Sequence, residues 1–261
     1  MAAVENHLKR KLEAGGLAAS LNLVHWRSVN AAGIAQECGF DWLFLDLEHN
    51  TMDLDTAAQI CVAALPTGVT PIVRVPSHDS FQATRILDGG AMGIVVPHVD
   101  TPEQAAQIVG NCRYPPVGHR SLAGAMPQLG FKTFPVREAI EILNRNTLII
   151  VMLESAQAIA NADAIAAVAG VDGLLIGTND LAAELGIPGD FANARIEDAY
   201  SKMIAACRRH GKHPGMGGVY DHVLMEKFVR LGVRFMLGGG DVALMTAAGK
   251  ARASFIHGLR L

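Results

Sequence analysis

Two long apolar runs each lead to a lone carboxylate. Leu148–Leu153 runs into Glu154, and residues 171–176 run through Gly177, Thr178 and Asn179 into Asp180. An unbroken aliphatic run bounded by turn residues reads as a strand covered on both faces, as in a parallel sheet. The C-terminal ends of such strands are where α/β folds place their chemistry. Two carboxylates on consecutive strands, with few nitrogen or sulfur ligands beside them, suit one hard divalent cation. Mg2+ or Mn2+ fits, and Co2+ is not separable from them, since a two-carboxylate site leaves room for waters and for ligands from a substrate. Taken singly, each carboxylate reads more readily as a cap on the helix-like sequence behind it. On adjacent strands, the pair favours the metal.

His49 and Arg74 form a second pair. The stretch Asp46-Leu47-Glu48-His49 ends another apolar run. A neighbouring carboxylate can orient a histidine and raise its basicity, as a general base requires. Arg74 ends a further run, where its guanidinium would project into the same mouth. There it could hold a carboxylate at two points or stabilise a developing oxyanion. An ion pair with Asp46 or Asp88 is the plainer reading, and both can hold. Other strand ends carry Pro97-His98, Gly217-Gly218 and Gly238-Gly239-Gly240, where glycine permits close backbone approach. No lysine ends a strand as a Schiff-base nucleophile must; Lys212 comes nearest, at the wrong end of its strand. Gly-x-Ser-x-Gly and His-Glu-x-x-His are also absent. The set points to metal-assisted chemistry on a small acid.

The elements that must position these residues follow from the pattern. Strands are expected at 16–24, 41–46, 69–74, 93–97, 148–153, 171–176, 212–216 and 233–237. Helices are expected near 29–38, 54–64, 80–88, 102–110, 156–169, 194–210, 221–231 and 242–257, with Asp100 or Thr101 capping the fourth. Eight strands alternating with helices over 261 residues is the count of a single-domain (β/α)8 TIM barrel. A doubly wound open sheet is the alternative, but no GxGxxG follows the first strand. Residues 111–146 exceed an ordinary connection, with Tyr114-Pro115-Pro116 and a helix expected near 135–143, and a segment of that length suggests function. It is expected to meet the part of a substrate remote from the carboxylate pair.

Composition excludes other classes. A net charge of −3, no basic run and few aromatic residues argue against nucleic acid. No stretch nears the roughly 20 apolar residues of a membrane span. The N-terminal stretch lacks the apolar core of a signal peptide, so a soluble cytoplasmic protein is expected. Cys38, Cys61, Cys112 and Cys207 are widely spaced and expected to be buried free thiols.

The ordered motifs resemble the HpcH/HpaI aldolase family, the metal-dependent class II pyruvate aldolases of the phosphoenolpyruvate/pyruvate barrel superfamily. The resemblance rests on Gly39-Phe-Asp-Trp-Leu-Phe-Leu-Asp46-Leu-Glu-His49, Val73-Arg74-Val-Pro76, and Ile86-Leu-Asp88-Gly-Gly-Ala-Met-Gly-Ile-Val-Val-Pro97. It continues through Tyr114-Pro-Pro-Val-Gly-His-Arg120, Met152-Leu-Glu154-Ser and Ile176-Gly177-Thr-Asn-Asp180-Leu, spanning residues 16–250.

The resemblance implies that Glu154 and Asp180 hold the metal, which a 2-oxo acid chelates. It implies that Arg74 stabilises the enolate oxygen and that His49 is the base, acting through a water. It gives Asp88 the task of raising the basicity of His49, and the amides of Gly177, Thr178 and Asn179 the substrate carboxylate. It further implies a homo-oligomer, a trimer or hexamer, with a C-terminal helix near 241–258 exchanged between subunits. Two departures concern the substrate: Met152 replaces a Gln found in several members, and Gly177-Thr178-Asn179 replaces Gly-Pro-Ala or Gly-Pro-Ser. The expected reaction is reversible cleavage of a 4-hydroxy-2-oxo acid to pyruvate, or a close 2-oxo acid, and an aldehyde. A citryl- or malyl-CoA-type lyase shares the carboxylate pair, but no basic patch for CoA phosphates is evident. A barrel that binds a 2-oxo acid without turnover is disfavoured by the presence of both His49 and Arg74.

Overall fold

The computed structural model describes residues 3–260, and its framework is a closed barrel of eight parallel strands in sequence order. The strands are β1 (Ala18–Leu23), β2 (Trp42–Asp46), β3 (Thr70–Arg74), β4 (Gly93–Val96), β5 (Leu148–Leu153), β6 (Gly173–Gly177), β7 (His213–Gly217) and β8 (Phe235–Gly240). Helices follow every strand and run back along the outside, so the (β/α)8 TIM barrel expected from the alternation is the fold observed.

Side chains along a strand alternate between faces, and the apolar runs fill both. One set, including Trp42, Phe44, Ile72, Val95, Ile150, Met152, Leu175 and Phe235, packs together inside the barrel. The alternate set, including Leu43, Leu45, Val73, Ile149, Val151, Leu174 and Ile176, packs outward against the helices. Each fully buried aliphatic side chain contributes about 1.5–3 kcal/mol by leaving water. Phe235 also fills the space opposite Gly215, where a Cβ would lie 2.2 Å from its ring. The same alternation fixes the C-terminal mouth. Its next inward positions are Asn22, Asp46, Arg74, Glu154, Gly177 and Gly217, polar residues or glycine.

Several elements differ from expectation. Helix His7–Glu13 was not foreseen in a charged stretch; Leu8 and Leu12 turn inward and close the N-terminal end of the barrel. The helix expected at 156–169 divides at Asn161 into Ala156–Ala160 and Ala162–Ala167. Helix Thr178–Glu184 begins two residues before Asp180, whereas helix-like sequence was expected only behind that carboxylate. Thr101 rather than Asp100 caps helix Pro102–Cys112, in a capping box with Gln104. Cys61, Cys112 and Cys207 are buried, whereas Cys38 is exposed.

The segment 111–146 is corrected in place. It contains a 3-10 turn at Pro127–Leu129 and helix Val136–Asn146, with a small core of Tyr114, Met126, Leu129, Ala139 and Leu143. It joins a helix end to the start of β5, so it lies at the N-terminal end of the barrel. Asn6 ties it there, donating to Asn146 O (2.7 Å) and Met92 O (3.0 Å). Within this chain it faces away from the mouth.

Helix Asp241–His257 is anchored only at its start. The Asp241 carboxylate accepts the N–H groups of Val24, His25 and Trp26 at 3.1, 2.9 and 2.7 Å. Every later residue of that helix is exposed, including Met245, Phe255 and Ile256. Among the described residues no helix is long and apolar enough to cross a membrane.

Candidate active site

Neither strand-end carboxylate is spent as a helix cap. Ser155 caps helix Ala156–Ala160, accepting from Ala158 N at 3.0 Å, and Gly177 occupies the cap position of helix Thr178–Glu184. Glu154 instead turns into the mouth, where its side chain is only 3% exposed. A Cβ at residue 177 would lie 2.3 Å from Glu154 Oε1, so glycine there makes the room. Burial pushes the Glu154 carboxyl up to about 7; the His98 N–H and ring oppose the rise, and the charges of Asp180 and Glu48 add to it. Asp180 is exposed beside it, in the first turn of the following helix.

Arg74 is held by two acids. Its Nε and Nη2 donate to the two oxygens of Asp46 at 3.0 and 2.6 Å, a bidentate pair. Its Nη1 lies 2.8 Å from Glu48 Oε2 but outside hydrogen-bond geometry, which leaves that buried oxygen with no donor. The guanidinium also sits 5.3 Å from the Phe44 ring centroid. Burial opposes its charge, but Asp46, Glu48 and Glu154 outweigh that and hold its pKa above the usual arginine value. Burial likewise opposes ionisation of Asp46, yet Arg74 and the N–H groups of Glu48 and His49 bring its pKa below the ordinary carboxylate value.

His49 stands at the rim, its side chain 60% exposed, with Nε2 3.9 Å from Glu48 Oε2. Asp46 accepts its backbone N–H at 3.3 Å and so shapes the turn rather than orienting the ring. Asp88 does not join these residues within the chain. It ends helix Ser80–Asp88, which runs from the mouth to the opposite end of the barrel, and there it pairs with Arg120 at 2.6 Å. The helix direction therefore excludes the expected contact between Asp88 and His49 in one protomer.

Met152 is buried with its sulfur 4.0 Å from Arg74 Nη1. Thr178 turns its side chain away from the cavity. Its hydroxyl donates to Gly217 O (2.6 Å) and accepts from the Tyr200 hydroxyl (2.8 Å), both within the wall. Gly218, at φ +84, clears the space for Asn179, whose Nδ2 would be 2.8 Å from a Cβ there.

His98 had no assigned role in the sequence and proves central. It adopts φ +54, unusual for a residue with a side chain, and donates its N–H to Glu154 Oε2 at 2.8 Å. Its ring nitrogens lie 3.3 Å from Glu48 Oε1 and 3.3 Å from Glu154 Oε2, so it bridges the two acids. Asn22 and Tyr220 were missed as well; both line the cavity of about 260 Å3 that contains Asp46, His49, Arg74, Met152 and residues 177–180. A position after a strand end was the one signal for His98 and Tyr220, and Asn22 carried only its polarity in an apolar strand. A larger groove of 780 Å3 beside helix His7–Glu13 gathers scattered surface charges and no comparable constellation.

The donor set fits a divalent cation. Asp46, Glu48 and Glu154 surround one fixed cation, Arg74, which Asp46 already engages with both oxygens, and Asp180 adds its charge beside Glu154. Mutual repulsion and the orphaned Glu48 oxygen both favour an added positive charge. Among the described residues no group of three or more His, Cys, Asp or Glu is placed to hold a metal ion by itself.

Comparison with known proteins places this geometry. The model of the HpcH/HpaI aldolase/citrate lyase family matches residues 24–248. A 4-hydroxy-4-methyl-2-oxoglutarate aldolase of Hapsidospora irregularis is 39% identical across 100% of this chain and 98% of its own length. A 4-hydroxy-2-oxovalerate aldolase of Rhodococcus jostii is 37% identical, over 88% of this chain and 89% of its own. The crystal structure of an HpcH/HpaI aldolase from Desulfitobacterium hafniense superposes with a TM-score of 0.91 at 30% identity, covering 97% of each chain. A barrel with this mouth, matched over most of its length, belongs to the HpcH/HpaI aldolase/citrate lyase family and is a carbon–carbon lyase.

Proposed function

We propose that this lyase is a divalent-metal-dependent class II aldolase. It cleaves a 4-hydroxy-2-oxo acid reversibly to pyruvate, or a close 2-oxo acid, and an aldehyde or ketone. The observation that carries the reading is the buried Arg74, fixed by Asp46 and Glu48 in the same mouth as Glu154. The names of the two relatives support it, since both specify a 4-hydroxy-2-oxo acid.

The substrate's 2-oxo end lies against residues 177–180, with its carboxylate toward the backbone N–H groups that open helix Thr178–Glu184. Glu154 and Asp180 would hold Mg2+ or Mn2+, with Co2+ as a third choice, and the ion when bound supplies Lewis acidity toward the 2-oxo group. His49, exposed at the rim, takes the proton of the C4 hydroxyl directly or through a water. The C4 oxygen then becomes a carbonyl as the C3–C4 bond breaks. That electron pair moves into the C2–C3 enolate, whose oxygen faces the Arg74 guanidinium. Arg74 is already oriented by Asp46, so little reorganisation accompanies the charge. Protonation at C3 yields the 2-oxo acid.

We extend the reading to assembly. The exposed apolar residues Met245, Phe255 and Ile256 suit the expected homo-oligomer, trimeric or hexameric, in which helix Asp241–His257 packs on a neighbouring copy. The test of the chemistry is pyruvate release from a panel of 4-hydroxy-2-oxo acids, with and without EDTA. Cleavage that EDTA does not slow would remove the metal from the mechanism, and no cleavage of any member would leave only a binding barrel.

A further inference from the structure

Inside the barrel, Ser20 and Asn22 on β1 are buried at the level where other strands present Trp42, Phe44, Ile72 and Ile150. A buried hydroxyl and a buried amide persist only where their hydrogen bonds are made. Here the bonds form one line. Gly238 N–H donates to Ser20 Oγ (3.4 Å), Ser20 O–H donates to Asn22 Oδ1 (2.5 Å), and Asn22 Nδ2 donates to Tyr220 Oη (3.3 Å).

The line has a direction. The N–H of Gly238 faces Ser20, so Ser20 accepts there and donates its own O–H to Asn22. That turns the carbonyl end of the amide toward Ser20 and the NH2 end toward Tyr220. Tyr220 Oη thus accepts a hydrogen bond and keeps its own proton to donate. Among the described residues no acceptor takes it. Tyr220 lines the mouth cavity and is 50% exposed.

The position of this donor identifies what it meets. Tyr220 follows β7, beside β6, but its hydroxyl reaches Asn22 on β1, and in the eight-strand ring β1 stands opposite β5, which carries Glu154 into the mouth. A substrate whose 2-oxo end lies at Glu154 and residues 177–180 presents its other end to the wall of Asn22 and Tyr220. Resting on the aldolase reading above, we propose that Tyr220 is a specificity-determining residue whose O–H donates to a carboxylate on the half released as the carbonyl compound. An ionised carboxylate accepts and never donates, and a hydrogen bond to a charged acceptor is the stronger kind. An alkyl group at that place leaves the phenol to water. Because Tyr220 is half exposed, water can satisfy it, so discrimination of roughly tenfold is expected rather than the far larger factors of a sealed site.

The test compares kcat/KM for 4-hydroxy-4-methyl-2-oxoglutarate, which carries that carboxylate on C4, with 4-hydroxy-2-oxovalerate, which shares the C4 hydroxyl and methyl groups and has hydrogen in its place. Wild type should favour the dicarboxylate. Tyr220→Phe should lower the ratio about tenfold, and Asn22→Ala, which frees the phenol to rotate, should lower it by less. An equal loss on both substrates would assign Tyr220 to the atoms they share, and an unchanged ratio would remove it from recognition; either overturns the proposal. Exchange of the pyruvate C3 protons with deuterium by the wild type needs no second half and reports on the aldolase reading alone. Intact exchange beside an unchanged ratio would sink the Tyr220 assignment only, whereas absent exchange would sink the aldolase reading beneath it.

Discussion

Glu154 Oε1 occupies the space that a side chain on Gly177 would fill, 2.3 Å from where its Cβ would stand. The two residues sit across the β5–β6 seam, so the carboxylate's aim depends on a missing methyl group one strand away. Gly177→Ala should therefore displace Glu154 without emptying the core. We expect at least a tenfold weaker Mn2+ affinity, or about 1.4 kcal/mol, with a circular dichroism spectrum like that of the wild type. Unaltered Mn2+ affinity in a titration would show that Glu154 does not hold the ion.

Arg74→Ala should abolish aldol cleavage, by on the order of 10²–10³ in kcat, while leaving metal binding largely intact. The structure adds a second cost, because Asp46 and Glu48 lose their buried cation. Removing one partner of a buried pair costs about 3–5 kcal/mol, so the variant should also melt several degrees lower. Arg74→Lys, which keeps the charge without the two-point hold on Asp46, should fall between the two. Loss of metal in the alanine variant would mean that Arg74 serves the ion and not the enolate.

Metal binding should be linked to pH through Glu154. Its folded pKa of about 7 lies above the ordinary value of 4.5, so the folded, metal-free protein retains a proton that the unfolded chain releases. That favours folding below the unfolded value and is lost as pH rises through about 7. Metal-free protein should thus lose stability across this window, and Glu154→Gln should flatten the loss. Bound metal requires the carboxylate, so Mn2+ should raise Tm more at pH 8 than at pH 5.5, by about 2.7 kcal/mol of stability at a hundredfold excess over Kd. An equal Mn2+ effect at both values would contradict this.

Deleting residues 242–261 removes an element that contributes almost nothing to the protomer's own core. If that helix packs on another copy, the truncated chain should keep its barrel and lose its oligomeric state in light scattering. A truncated protein with unchanged mass would refute the exchange.

The sequence showed the barrel because its strands are buried on both faces and its helices are amphipathic, local patterns that tertiary packing reinforces. It brought Glu154, Asp180, Arg74 and His49 to one mouth for the same reason, since strand ends converge whatever their separation in the chain. It failed where direction and company mattered. Asp88 sits one element from the mouth in sequence, yet its helix carries it to the opposite end. The start of the helix at Thr178, ahead of Asp180 rather than behind it, was hidden because its first turn is Thr-Asn-Asp, polar residues that serve loops equally well. His98 owes its place between Glu48 and Glu154 to a positive φ, which no side-chain pattern encodes. The line from Ser20 to Tyr220 joins residues two hundred positions apart through a ring closure that periodicity alone does not register.

Asp241, which gathers three backbone N–H groups from the turn after β1, has a consequence for closure of the barrel. The seam it secures, between β8 and β1, joins the last strand in the chain to the first, and its register shifts between Ser20 and Asn22. A chain shortened before β8 would hold an open sheet with β1 and β7 as unpaired edges, each able to recruit another strand. Closure of the barrel therefore waits on the last strand in the chain, although His49, Arg74, Glu154 and Asp180 all precede it.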